Sequence, residues 1–181
     1  MATECAAPTA GRDRRRRAAS APACCRAVRP AARATALAVR LTSGGPVLFV
    51  QKRVGRAGRI FRIYKFRTMS HGTAGPSVTL PGDSRITPLG RFLRRWRIDE
   101  LPQVINILRG EMSWVGPRPE AVELAELYRL SIPNYDVRHA VLPGITGWAQ
   151  IQQGNVGGVD AAKIKFAHDL HYVHKRSALL D

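Results

Sequence analysis

Hydrophobic and polar positions follow no period before about residue 43 and follow clear ones after it. Residues 1–42 are dominated by Ala, Arg, Pro and Cys, with an arginine run at Arg14–Arg17. Such a segment buries too little apolar area to offset chain entropy, so disorder is expected there. Residues 43–181 read as one folded domain. Val47–Val50 and Ile60–Phe66 are β-rich runs flanking Gly55-Arg56-Ala57-Gly58, a pattern that predicts a β-hairpin. Alternation along the second run sets Phe61, Ile63, Lys65 and Arg67 on one face. Residues 71–84, rich in Gly, Pro, Ser and Thr, read as a loop.

Helical spacing follows. Leu89, Phe92, Leu93 and Trp96 recur at i, i+3, i+4 and i+7, with Arg91, Arg94 and Arg95 on the opposite side. A basic amphipathic helix of this kind suits a membrane surface, or it docks on a core by its apolar stripe. Asp99 reads as the N-cap of a second helix, with Glu100 and Pro102 in its first turn. Leu101, Val104, Ile105 and Leu108 form that helix's apolar stripe, and Gly110 ends it. Pro119 opens a helix to about Leu130 with Glu120, Glu123 and Glu126 on its wet side. Pro143-Gly144 marks a turn, and residues 161–172 read as helix. The expected fold is α+β: a small β-hairpin packed with several amphipathic helices, associated with a membrane surface.

Charge sharpens the picture. The 181 residues carry 29 Lys and Arg against 13 Asp and Glu, a formal net charge of +16. That excess predicts an anionic partner: nucleic acid, an anionic membrane or a phosphorylated substrate. The three cysteines, Cys5, Cys24 and Cys25, form no disulfide framework. A membrane span needs about 20 apolar residues, and the best candidate, Ala31–Leu41, is short and carries Arg33 and Arg40. Phosphate loops, dinucleotide fingerprints and serine elbows are missing from the sequence.

Chemistry concentrates at Asp99-Glu100. Arg91, Arg94, Arg95 and Arg97 precede the pair and Arg109 follows it. Positive charge keeps a carboxylate ionised, and a helix N-terminus acts in the same direction while attracting phosphate. An ionised Asp at such a point can attack phosphorus, and a neighbouring Glu can hold a magnesium ion. Consecutive helical side chains do not face each other, so the two carboxylates suit different jobs. Taken alone, such a pair is more often a solvated cap. Arg118, between Pro117 and Pro119, is either a phosphate grip or a guanidinium in water. Lys65 and Arg67 either line an anion site or protect an edge strand.

Five segments in order carry a resemblance. They are Gly45-Pro46-Val47-Leu48-Phe49-Val50-Gln51, Lys65-Phe66-Arg67-Thr68-Met69, Asp99-Glu100-Leu101-Pro102-Gln103, Gly116-Pro117-Arg118-Pro119 and Pro143-Gly144-Ile145-Thr146-Gly147. The series resembles the monotopic bacterial phosphoglycosyl transferases, or bacterial sugar transferases, over about residues 43–181. The resemblance implies transfer of a hexose-1-phosphate from a UDP-sugar to undecaprenyl phosphate, releasing UMP, at the cytoplasmic face of the inner membrane. This is the first membrane step of exopolysaccharide, O-antigen or glycan synthesis. It also implies Asp99 as the nucleophile of a phosphosugar-aspartyl intermediate and Glu100 as the Mg2+ ligand. Lys65, Arg67, Arg97 and Arg118 would contact phosphate. Members carry an apolar re-entrant segment before the Gly-Pro motif. Here that stretch holds Arg29, Arg33 and Arg40, each costing roughly 2.5–3.5 kcal/mol near a bilayer centre. Docking by the basic helix alone is one expectation. An inactive family remnant and a basic nucleic-acid-binding protein are the alternatives. The transferase reading expects no nucleic-acid partner.

Overall fold

The computed structural model describes residues 30–70, 72, 83–153 and 158–175. The hairpin forms as expected from β1 (Leu48–Val54) and β2 (Ile60–Phe66), antiparallel, with Leu48 opposite Phe66 and Val54 opposite Ile60. β1 extends beyond the predicted Val50, because the polar run Gln51-Lys52-Arg53 hides a strand that pairs through its backbone. A 3-10 turn, Arg56–Gly58, closes the hairpin, and Ala57 (φ 55°) and Gly58 (φ 74°) supply the left-handed backbone.

Phe61 and Ile63 point from β2 into a core with Ile107 and Met112. Phe66 joins a second core with Val39 and Leu93, which ties in helices α1 (residues 30–43) and α2 (Pro88–Arg95). The disorder expected over residues 1–42 is therefore corrected for residues 30–42. Ala32, Ala36 and Val39 lie at i, i+4 and i+7 and pack inward. That stripe is made of small side chains, which carry little periodic signal. Residues 1–29 lie outside the described residues, as does most of the loop read over 71–84. On α2, Leu93 is buried while Phe92 and Trp96 are exposed, so the predicted stripe divides between core and surface.

The segment carrying Asp99 departs most from expectation. Asp99 is not an N-cap. It lies inside a 3-10 helix, Ile98–Gln103, entered through Arg97 in the left-handed conformation (φ 56°). α3 (Val104–Leu108) follows directly. A 3-10 helix turns every three residues rather than every 3.6, which rotates the following helix relative to the predicted stripe. Ile105 and Leu108 face outward, while Gln103, Asn106 and Ile107 are buried. Asn106 explains part of this inversion. Its Oδ1 accepts from the Tyr64 N–H (3.3 Å) and its Nδ2 donates to the Arg62 carbonyl (2.7 Å), sealing the outer edge of β2.

A third core packs Val54, Tyr128, Ile132, Tyr135 and Phe166 between α4 (Val122–Ser131), the 3-10 segment Tyr135–Ala140 and α6 (Val159–Lys175). α4 starts later than Pro119, and Glu120 is buried ahead of it rather than on its wet side. β3 (Ser113–Val115) pairs in parallel with β4 (Gly144–Thr146), so the predicted Pro143-Gly144 turn leads into a strand. A Cβ on Gly144 would stand 2.2 Å from the Gly116 nitrogen, so the two backbones meet only because both are glycine. α5 (Trp148–Gln153) follows. The fold class is α+β. Among the described residues, no helix is long and apolar enough to cross a membrane.

Candidate active site

Glu100 is the focus of a cationic cluster. Its Oε1 accepts from Arg118 Nη2 at 2.5 Å and from Lys65 Nζ at 3.0 Å, and Arg97 Nη1 lies 3.9 Å away. Three elements meet here: Lys65 comes from β2, Glu100 from the 3-10 helix, and Arg118 from the link between β3 and α4. Asp99 and Glu100 are 8% and 5% exposed, so neither is a solvated cap. Asp99 Oδ1 is buried without a hydrogen-bond partner.

Arg118 is aimed by its backbone. Pro117 and Pro119 have no N–H, and the segment is held through its carbonyls instead. Gly144 N donates to Pro117 O (3.0 Å) and Arg138 Nη2 to Arg118 O (2.8 Å). Arg53 Nη1 donates to Pro119 O (2.9 Å) and Val54 N to Glu120 O (3.0 Å). Four consecutive carbonyls thus bind β4, the Tyr135–Ala140 segment and β1, and from this fixed strut the Arg118 side chain reaches Glu100 and the Ile145 carbonyl (3.4 Å).

Behind this strut lies a second ion cluster. Arg138 is fully inside; its Nε donates to Asp169 Oδ2 (2.9 Å) and its Nη1 to the Tyr135 hydroxyl (2.8 Å). Glu120 pairs with Lys165 and stands 3.8 Å from Arg138. Sequence reading missed Arg138, Asp169 and Lys165. A signal was present, since Ala162, Phe166, Asp169 and Tyr172 share the buried face of α6, which puts a carboxylate where an apolar residue belongs.

Burial and neighbouring charge set the protonation of the site. Burial would raise the Glu100 pKa, but Arg118 and Lys65 outweigh it and hold it at about 2. Asp99 moves the other way. Burial and then the Glu100 charge push its carboxyl up, against the smaller pull of Lys65 and Arg94. Lys65 is brought down to about 8 by burial and by the Arg118 charge, with Glu100 opposing.

Asp99, Glu100, Lys65 and Arg118 therefore come together, with Arg97 at the rim. Arg67 lies one residue beyond β2, where its Nε donates to the Pro46 carbonyl (2.7 Å), away from Glu100. Arg94 is better placed than the sequence indicated: its Nε donates to Thr68 Oγ1 (2.8 Å) and its charge acts on Asp99. Among the described residues, no group of three or more His, Cys, Asp or Glu side chains gathers for a metal. The Glu100 carboxylate, which borders a cavity, still fits magnesium, which takes one or two carboxylates and fills its shell with water and phosphate oxygens. Chemically, the cluster is a set of donors shaped for phosphate beside a carboxylate oxygen with nothing bound to it.

The chain is 46% identical over 150 residues to the UDP-N-acetylgalactosamine-undecaprenyl-phosphate N-acetylgalactosaminephosphotransferase of Aeromonas hydrophila, covering 82% of this chain and 36% of that protein. Identity is also 46% over 150 residues to the UDP-glucose:undecaprenyl-phosphate glucose-1-phosphate transferase of Escherichia coli K12, covering 81% and 32%. The exopolysaccharide production protein PSS of Rhizobium leguminosarum bv. phaseoli is 42% identical over 154 residues, covering 81% and 77%. The chain spans about a third of the length of the first two relatives. A family model described as bacterial sugar transferase matches residues 18–181, and the chain belongs to that family.

Proposed function

We propose that this chain transfers a hexose-1-phosphate from a UDP-sugar to polyprenyl phosphate and releases UMP, with Asp99 as the nucleophile. The observation that carries the proposal is the buried, unpartnered Asp99 oxygen beside a Glu100 gripped by Lys65 and Arg118. Relatives named for transfer of glucose-1-phosphate or N-acetylgalactosamine phosphate to undecaprenyl phosphate support the reaction class.

The reaction is two displacements at one phosphorus. An Asp99 oxygen attacks the phosphorus that bears the sugar, the bond to the uridylyl phosphate breaks, and UMP leaves with the electron pair. An oxygen of polyprenyl phosphate then attacks the same phosphorus, the aspartyl bond breaks, and the carboxylate returns. Arg118 and Lys65 orient the diphosphate and neutralise its charge. Arg97 adds a cation at the rim. Arg94, on the Asp99 side, favours the ionised nucleophile against the burial that raises its pKa.

Glu100 would hold Mg2+, which when bound neutralises charge on phosphate oxygens and leaves the unpartnered Asp99 oxygen to attack. Both Glu100 oxygens already accept from Arg118 and one accepts from Lys65, so the ion competes with these cations for one carboxylate. Membrane-surface docking is read from α2, where Phe92 and Trp96 are exposed beside Arg91 and Arg95.

The test is UMP release over a panel of UDP-sugars in detergent or lipid, with and without polyprenyl phosphate and magnesium. Release that needs both, and that Asp99→Asn abolishes without unfolding the protein, is the expected result. Normal turnover by that variant removes Asp99 as nucleophile.

A further inference from the structure

Thr68 lies just beyond β2, is buried, and meets α2 at both ends. At the start of α2 its carbonyl accepts from the Thr87 N–H (3.0 Å), and Thr87 Oγ1 caps the helix by accepting from the Gly90 N–H (2.9 Å). A Cβ on Gly90 would stand 2.0 Å from that same Thr68 carbonyl oxygen, so only glycine lets the helix seat there. Arg94 follows Gly90 by one turn on the same face. Its Nε donates to Thr68 Oγ1 at 2.8 Å. One residue thus holds the first turn of α2 through its backbone and the last turn through its hydroxyl.

The Thr68 bond uses one of the five guanidinium donors. Among the described residues, the two Nη groups of Arg94 take no hydrogen-bond partner. The carboxylates whose charges act on Arg94 are Asp99 first and then Asp83. Asp83 is already held by Arg85, through Nε at 2.9 Å and Nη2 at 2.6 Å. Arg118 and Lys65 already donate to Glu100. Arg94 differs from both: it is half-buried, anchored at Nε, and open at the fork that grips paired oxygens. Buried donors left without a partner cost stability, which points to an anionic ligand for them.

We propose that Thr68 is a positioning residue that pins Arg94 at Nε, so that the two Nη groups grip phosphate oxygens of the substrate at Asp99. The assignment rests on the proposed displacement at Asp99 and adds to it a cation not committed to Glu100. Pinning removes the rotamer freedom of the long side chain before the substrate arrives, so less entropy is lost on binding.

The test uses the full chain in detergent with Thr68→Val, Thr68→Ser, Arg94→Gln and the double variant Thr68→Val/Arg94→Gln, each checked by thermal unfolding. Inorganic pyrophosphate is the probe, since it presents a diphosphate without nucleoside, sugar or turnover. Thr68→Val should weaken its binding about tenfold. Thr68→Ser keeps the hydroxyl and should stay within about twofold of wild type. Added to Arg94→Gln, Thr68→Val should cost less than about a further twofold, because a residue that acts through another has no effect once that one is gone. A purely structural role would give the full further loss, and that result overturns the proposal, as does equal binding by Thr68→Val and wild type. Where Thr68→Val does not fold, Thr68→Ala takes its place under the same expectations. The KM for UDP-sugar in UMP release should follow the pyrophosphate affinities across the variants. If wild type releases no UMP but the pyrophosphate pattern holds, the proposed reaction fails and the grip stands. Wild type that binds pyrophosphate no more tightly than Arg94→Gln overturns the grip even where UMP is released.

Discussion

Glu100 and Glu120 are both buried carboxylates paired with a lysine and an arginine, yet their surroundings differ in one respect. The Glu120 cluster is closed. Arg138 spends its donors on Asp169, Tyr135 and the Arg118 carbonyl, and Lys165 completes the charge balance. The Glu100 cluster is open. It borders a cavity, its Lys65 is held near a pKa of 8, and its neighbour Asp99 keeps an unpartnered oxygen. A satisfied buried network is a frame, whereas an unsatisfied one beside a cavity is a place for a ligand. The two are joined at Arg118, whose carbonyl belongs to the frame and whose guanidinium belongs to the site.

The comparison breaks most sharply at Asp99. Asp99→Asn should lower turnover by at least about a thousandfold, as loss of a covalent nucleophile does, while thermal unfolding stays close to wild type. Asp169→Ala should do the opposite and act first on stability. It leaves the Arg138 charge buried without its main partner, which costs about 3–5 kcal/mol in chemical denaturation. If Asp169→Ala unfolds normally but binds UDP-sugar poorly, the frame is part of the site and the division fails.

Smaller effects sharpen the contrast. Arg118→Lys keeps the charge but loses the two-pronged grip, so the KM for UDP-sugar should rise about tenfold or more. The pH profile should show Lys65 directly. On the proposed reading its ammonium holds phosphate; its pKa is lowered to about 8, so affinity should fall as pH rises through 8. Lys65→Arg should move that basic limb upward, since a guanidinium stays protonated there. The acid limb belongs to Asp99. Burial and the Glu100 charge raise its pKa, so the rate should fall on acidification at a higher pH than an unperturbed aspartate would give. Arg67→Ala should change KM least, by about twofold or less, because its side chain is committed to Pro46 on the surface.

The parts of this molecule that were legible in the sequence are those carried by strong local chemistry. The hairpin announced itself through alternation and a Gly-containing turn. Asp99, Glu100 and Arg118 drew notice by their arginine or proline neighbours, but local chemistry left them and Lys65 open between site and surface, and the resemblance across five ordered segments singled them out. The illegible parts share a different cause. Arg138 looks like a wet-face residue without the third dimension, whereas Asp169 carried a signal that was passed over, a carboxylate on the apolar face of α6. The inward stripe of α1 is two alanines and one valine, too little apolar bulk to register. The outward turn of α3 follows from a 3-10 helix, which no hydrophobic pattern distinguishes from an α-helical start. Arg67 shares strand parity with Lys65, but its Nε is drawn to the Pro46 carbonyl, a partner that strand alternation does not reveal.

The most direct measurement is the intact mass of the protein after incubation with UDP-sugar and magnesium in the absence of any acceptor lipid. The account predicts an added hexose phosphate, located on the peptide containing Asp99, absent from Asp99→Asn and discharged when polyprenyl phosphate is supplied. An adduct that persists in Asp99→Asn, or full transfer with no adduct at any time, would contradict it.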